Sequence, residues 1–243
     1  DLRNRAVALG APTDRIEVVP YGVDASRFAP DPEARRRRRD ALGLPDDTPL
    51  LFTAGRLVRK KGFEFLIEAV GRLRATWPTL TLAIAGGGDL ETELRQHAGR
   101  QGVADRVRFL GPLAQDAIPS YLAAADLAVV PSVRDPSGNV DGLPNVLMEA
   151  LASGTPVVTT TAGGIGAVAS DAHTARVVPE GDATALATAI AALLTDPSER
   201  SRLGSAARAR ALDEHGWTRA IERLEAAYAR ALRSHRPSGL PPV

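Results

Sequence analysis

PLLFTAGRLVRKKGFEFLIEAVGRLRATWPTLTLAIAG, residues 49–86, holds two apolar runs separated by a basic turn and an amphipathic stretch. PLLFTAG (49–55) and LTLAIAG (80–86) are nearly continuous in apolar residues, as strands buried on both faces are. The segment 63–75 between them is helix-like and follows Gly62. Strand, helix and strand in that order make a parallel βαβ unit. The alternation continues outward, with strand-like runs IEVVP (16–20), VRFLG (107–111), LAVVPS (127–132), PVVTT (156–160) and ARVVP (175–179). Helix-like segments fall at 89–101, 115–125, 144–153 and 182–195, several of them bounded by Gly or Pro. The expectation is an α/β domain over 1–196, a doubly wound parallel sheet binding its ligand beyond the carboxyl ends of the strands. After residue 196 the pattern turns wholly helical, which predicts a helical extension over 197–233. The tail 234–243 is Pro-rich and polar, and is expected to be disordered. No internal repeat is visible.

A chain of 243 residues that is 44% hydrophobic can bury a substantial core. Its net charge of +1 gives no global pull toward nucleic acid or acidic membranes. With no cysteine, disulfides and thiolate metal sites are excluded. No apolar run reaches the ~18 residues of a membrane span, since the longest are broken by Asp126 or end at Thr195. There is no signal-peptide pattern, and the chain begins at Asp1 within a helix-like stretch, DLRNRAVALG. The expectation is a fragment of a longer protein.

DGLPNVLMEALASGTPVVTT (141–160) carries a lone carboxylate, Glu149, in an otherwise apolar helix beginning near Pro144, with Asp141 just outside it. Buried acidic groups need a partner or a ligand. Glu149 stands about 7–8 Å beyond Pro144 along the axis, at ~1.5 Å per residue, so one ligand can meet the helix N-terminus and Glu149 together. Asn145, Glu149, Ala152 and Ser153 share the less apolar face, opposite Val146, Leu147, Ala150 and Leu151. Alone, Glu149 would read as part of an exposed stripe; Gly142, Asn145 and a basic loop upstream reverse that reading. That loop is GRLVRKKG (55–62), at the carboxyl end of a strand, and Lys60 and Lys61 are the only lysines in the chain. Arg56 can fork onto two phosphate oxygens, Lys61 adds a point charge, and Gly62 opens a helix whose amides favour anions. Solvated cations in a loop are the plainer alternative; the position between strand and helix favours the anion site. TAGGIGAV (161–168) would open another helix, with Gly163 and Gly164 allowing close approach to a ligand. The glycines of AGGGDL (85–90) do not form GxGxxG, which disfavours a nicotinamide dinucleotide. Together these segments read as a site for a sugar attached to a nucleoside diphosphate.

Other signals carry less. The five arginines of ARRRRRDALGL (34–44) are flanked by Glu33 and Asp40 and read as a solvated helix face, with weak membrane-surface contact as the minor alternative. His97, His173, His215 and His235 show no ligand spacing, and nothing resembles a DxD cluster, so no metal is expected. Trp217 and Tyr228 suit packing, and Met148 reads as a core residue.

The chain resembles the C-terminal, donor-binding domain of GT-B glycosyltransferases of the GT4 group, retaining enzymes with an E-x7-E motif. The resemblance runs through VPYGVD (19–24), GRLVRKKG, AGGGDLETEL, VRFLGPL, DGLPNVLMEALASGTPVV and VPEGDATALATAI, in order and over most of the chain. It implies a Rossmann-like domain in which Glu149 binds the donor ribose. Asp141 would face the transferred sugar, together with backbone groups at Gly142, Leu143, Pro144 and Asn145. Arg56 and Lys61 match the pair that grips the diphosphate, and Leu110, Gly111 and Leu113 the wall beside the base. Further implications are a nucleoside-diphosphate sugar as donor, UDP first and GDP second, with no cofactor or metal. The acceptor would be a sugar or lipid-linked hydroxyl bound through an N-terminal domain that the chain lacks. The setting implied is the cytoplasm of a bacterium, at or near the inner face of its membrane, in cell-envelope polysaccharide synthesis.

The chain departs from the pattern where Asp141 replaces the first Glu, one methylene shorter. Two alternatives remain beside the transferase: a GT-B sugar-nucleotide epimerase, and a non-catalytic nucleotide-sugar-binding module. A phosphorylase with a cofactor-bearing lysine is disfavoured, since both lysines lie in the phosphate loop.

Overall fold

The computed structural model describes residues 2–234. The disordered-tail expectation for 234–243 therefore falls, apart from Ser234, outside the described residues. Six parallel strands are present among them: β1 (Leu50–Ala54), β2 (Thr81–Ala85), β3 (Val107–Gly111), β4 (Leu127–Val130), β5 (Val157–Thr160) and β6 (Arg176–Val178). Before the sheet come α1 (Leu2–Ala8) and α2 (Pro32–Ala41). The connecting helices are α3 (Phe63–Leu73), α4 (Glu91–Arg100), α5 (Ile118–Ala124), α6 (Asn145–Ser153) and α7 (Ala183–Thr195). They are followed by α8 (Pro197–Glu214) and α9 (Trp217–Ser234). The sheet order is β3-β2-β1-β4-β5-β6, so the winding reverses between β1 and β4. The doubly wound expectation holds.

Strand period divides the core into two layers. Leu50, Phe52 and Ala128 pack toward α5 and α6, whereas Leu51, Leu82, Ile84 and Leu127 pack toward α3 and α7. Helix α3 answers with Phe63, Leu66, Ile67 and Val70, all buried at helical spacing. Asp182 and Asp196 cap α7 and α8 by accepting from Ala185 N and Glu199 N at 2.8 and 3.0 Å. Leu203, Ala207 and Ala211 of α8 are buried, so this helix seals the domain rather than standing apart.

Four expectations are corrected. IEVVP (16–20) forms no strand. It makes no ladder with the sheet and is tied instead to α9 through the ion pair of Glu17 and Arg230. The arginine run is not simply a solvated face, for Arg39 is 1% exposed. Its guanidinium donates to the carbonyls of Ala124 (3.1 Å), Pro45 (2.7 Å) and Thr48 (2.5 Å). Arg35 and Arg39 also pair with Asp126 at 2.7 and 3.4 Å, while Asp126 accepts from Leu50 N, binding α2 to the start of β1. TAGGIGAV yields only the 3-10 turn Ile165–Ala167. Trp217 and Tyr228 are not packed but 54% and 63% exposed, on an apolar stripe of α9 with Ile221, Leu224 and Leu232.

Candidate active site

The candidate site lies at the carboxyl ends of β1 and β4, where the winding reverses. The loop after β1 is drawn onto the loop after β4: Val133 N donates to Lys60 O at 2.9 Å. Gly62 has φ +65°, and a Cβ there would overlap the Pro131 carbonyl, so only glycine allows this approach. The result brings both lysines onto Asp141. Lys61 Nζ lies 2.5 Å from Asp141 Oδ2 and Lys60 Nζ 3.1 Å from Oδ1, with side chains only 10–18% exposed. Ser132 Oγ donates to Oδ2 at 3.4 Å. Asp141 is thus the counter-ion of the two lysines.

Gly163 and Gly164 also act differently from expectation. A Cβ on either would overlap the carbonyl oxygen of Asp141 or Gly142, and Gly164 N donates to Gly142 O at 2.6 Å. Their close approach is to the 141–142 turn, which they hold, rather than to a ligand. That turn leads through Leu143 to Pro144, which caps α6 with its backbone extended at φ −67°, ψ 127°. No side chain caps this helix, so its first amides are available to an anion.

One turn into α6, Glu149 opens into a cavity of about 440 Å³ lined also by Tyr21, Asp24, Arg27, Gln115, Asn145 and Met148. It makes no hydrogen bond or ion pair among the described residues. Burial raises its carboxyl above the usual range, only partly opposed by the charge of Arg27. An acid held half-buried without a partner is set to accept from a ligand's hydroxyls. Asn145 is exposed on the same face, but Ala152 and Ser153 of the supposed polar face are buried under α8. Met148 is buried at 1% exposure, as expected.

A second cavity, of about 470 Å³, is lined by Gly55, Arg56, Gly86, Gly87, Pro112 and Leu113, among others. Exposed Arg56 lines this cavity beside Gly55, against which the Lys61 side chain lies. Leu113 joins this wall. Leu110 packs partly against the core, and Gly111, at φ +68°, turns the chain after β3 while its carbonyl accepts from Gly86 N at 2.8 Å. The stretch from Leu113 to Gln115 runs from one cavity to the other.

Sequence reasoning assigned no role to Tyr21, whose hydroxyl reaches the Leu143 carbonyl at 2.5 Å and Asn145 Oδ1 at 2.6 Å. It assigned none to Lys60, Arg27 or Gln115 either. A tyrosine between Pro20 and Gly22 was the only signal for the first, and the doubled lysine for the second. Among the described residues, no group of three or more His, Cys, Asp or Glu is placed to hold a metal ion.

Fold and site together define a doubly wound α/β domain with two lysines paired to one aspartate beside a polar cavity at its switch point. The chain belongs to the family of glycosyl transferases group 1, whose family model matches residues 34–210. It is 39% identical over 216 residues to the GDP-mannose-dependent alpha-(1-6)-phosphatidylinositol monomannoside mannosyltransferase of Mycolicibacterium smegmatis, covering 88% of this chain and 56% of that protein. It is 37% identical over 227 residues to the D-inositol 3-phosphate glycosyltransferase of Xylanimonas cellulosilytica, covering 91% and 53%. The chain thus spans about half the length of these curated relatives. Among solved structures, Anabaena HepE in complex with UDP-glucose superposes with a TM-score of 0.81 at 25% identity, over 96% of this chain and 61% of that one. The resemblance read from the motifs holds at the level of family and fold.

Proposed function

We propose that this chain is the donor-binding half of a retaining glycosyltransferase, which moves a sugar from a nucleoside diphosphate to an acceptor hydroxyl. The observation that carries the reading is the pairing of the chain's two lysines with Asp141, on the turn that leads into the uncapped N-terminus of α6, followed one helical turn on by the unpaired carboxylate of Glu149. Cations and amides suit a diphosphate, and the carboxylate suits ribose hydroxyls. Asp141 and the backbone of Gly142 to Asn145 would border the transferred sugar, and Leu110, Gly111 and Leu113 the base.

In this mechanism the bond from the anomeric carbon to the diphosphate oxygen breaks as Lys60, Lys61, Arg56 and the α6 amides neutralise the departing charge. The acceptor oxygen bonds to the same carbon from the same face, and its proton passes to the leaving phosphate oxygen. No protein nucleophile and no metal is needed. A mannosyltransferase named for GDP-mannose among the relatives supports GDP as the base, and the UDP-glucose complex of HepE supports UDP. The relative named for a phosphatidylinositol mannoside supports a lipid-linked acceptor, hence a cytoplasmic membrane face as the setting. None of the described helices is long and apolar enough to cross a membrane.

Calorimetric titration with GDP, UDP and ADP, followed by GDP-mannose and UDP-glucose, tests this. One nucleotide should bind, and Lys61→Ala and Arg56→Ala should each weaken it at least about tenfold. No binding to any nucleotide would overturn the donor site. Turnover independent of acceptor would point to the epimerase, and binding without any turnover by the full-length protein to the non-catalytic module.

A further inference from the structure

The Tyr21 hydroxyl has one proton but two oxygen neighbours, the Leu143 carbonyl at 2.5 Å and Asn145 Oδ1 at 2.6 Å. It can donate to only one of them. Ionisation offers no escape, because a phenolate would face two acceptors with nothing to donate. Burial, together with the charges of Glu149 and Asp141, pushes the phenol up to about 12, so it keeps its proton. The conflict disappears when the Asn145 amide is turned over, a rotation that leaves its shape unchanged. Nδ2 then donates to the phenol oxygen, and the phenol donates to Leu143. The phenol, the Leu143 carbonyl and Nδ2 are then matched, and Oδ1 is turned away from Tyr21.

We propose that Tyr21 is a positioning residue of the donor site: it turns the Asn145 amide so that Oδ1 faces the cavity as an acceptor, and it pins the turn entering α6. This rests on the donor-site reading above. The strap carrying Tyr21 is itself held from behind. Val23 N donates to His215 O at 2.8 Å, and Gly22 lies so close to Trp217 that a Cβ would overlap its backbone. The ring therefore acts as a fixed prop between the α8–α9 junction and the donor turn. Its consequence is chemical. Asn145 and Glu149, one helical turn apart, then both present acceptors to the same cavity, which selects a ligand rich in hydroxyl donors.

Side-chain amide NMR and calorimetry on this chain test the proposal. In the ligand-free protein, Asn145 Nδ2 protons should be protected from exchange, and Tyr21→Phe should shift their resonances and abolish the protection. Tyr21→Phe should weaken GDP-mannose or UDP-glucose, whichever binds the wild type, by about tenfold, the effect of one lost hydrogen bond to a ligand. GDP or UDP alone should weaken by a similar factor, since the ribose hydroxyls facing Asn145 and Glu149 in this cavity belong to the bare nucleotide as well. Asn145→Ala should show the same loss, and the double variant should lose no more than either single one. Because Asn145 is exposed, its variant keeps the test open even if Tyr21→Phe folds poorly. An Asn145 amide indifferent to Tyr21→Phe would overturn the proposal whatever the ligand does. Nucleotide binding unchanged in Tyr21→Phe, or additive losses in the double variant, would overturn it too. A wild type that binds none of the four ligands would instead overturn the donor-site reading, with the amide measurement still deciding whether Tyr21 holds Asn145.

Discussion

Replacing Asp141 by Asn removes the shared counter-ion of Lys60 and Lys61 while keeping the side chain's shape. The carboxylate is 2.5 and 3.1 Å from the two ammonium groups, and the residue is 7% exposed. At an effective dielectric of about 20, the two contacts are worth about 5–7 kcal/mol each before desolvation. Removing one partner of a buried pair costs about 3–5 kcal/mol in practice. Here the lysine side chains keep 15% and 18% exposure, and water can reach them, so we expect about 2–3 kcal/mol. For a chain of this size each kcal/mol moves the melting temperature by about 2–4 °C, which predicts a fall of about 5–10 °C. The loss should be repairable. A nucleoside diphosphate brings its own anions to the two bared cations, whereas in the wild type it must compete with Asp141 for them. Thermal melts at low salt, with and without saturating GDP or UDP, should therefore show a larger ligand-induced rise in the variant than the ~2.7 kcal/mol equivalent expected of any ligand at a hundredfold excess over Kd. A variant melting within about 1 °C of wild type would refute the reasoning on the ion pairs. An identical nucleotide shift in the two proteins would refute the competition.

Glu149→Gln should raise the melting temperature at pH 8 by about 2–4 °C, because it removes a charge that burial disfavours, while nucleotide Kd rises at least about tenfold. The pH dependence follows in sign. The folded-state pKa of Glu149 is raised, so its ionised form costs stability above that pKa, and the cost disappears as pH falls through it. Nucleotide affinity should move oppositely, weakening as Glu149 takes up its proton above the ordinary carboxylate range; titrations from pH 8 to pH 5 should be flat in this respect for Glu149→Gln. Arg39→Ala should cost about 3–5 kcal/mol in denaturant unfolding, for it removes a buried donor from the carbonyls of Ala124, Pro45, Asp46 and Thr48 and part of the Asp126 pairing, whereas exposed Arg36→Ala should change stability by less than about 0.5 kcal/mol. Gly163→Ala should lower the melting temperature by forcing the 141–142 turn aside, while Gly166→Ala, with open space around it, should change stability by less than about 0.5 kcal/mol.

Much of this architecture was legible in the chain because it is local. Leu50 to Ala54 and Thr81 to Ala85 read as doubly buried strands from apolar content alone, and Phe63 to Leu73 as a helix from its spacing. A strand also needs an edge to pair with, however, and IEVVP shows that apolar, β-branched residues without a free neighbour stay unpaired. The arginine run misled for a related reason. Composition describes the average face of a helix, but two of the five guanidiniums, Arg35 and Arg39, donate to carbonyls at the end of α5, and Arg39 also to those of the loop before β1. Trp217 and Tyr228 look like core residues in any composition argument; whether an amphipathic stripe is covered depends on what lies opposite it.

From sequence alone, the order of strands and helices, the switch point as the place for a ligand, and the acids and cations bordering it could all be read, since apolar runs and turns act over a few residues. Only the tertiary structure decided which charge meets which. Lys60 and Lys61 find Asp141 some eighty positions away, Gly163 and Gly164 clamp the turn that carries it, and Tyr21 reaches Asn145 across 124 residues. These pairings follow from the crossing of the chain between β1 and β4. Hydrogen bonds and ion pairs work over about 3 Å, and no spacing along a sequence records distances across a fold.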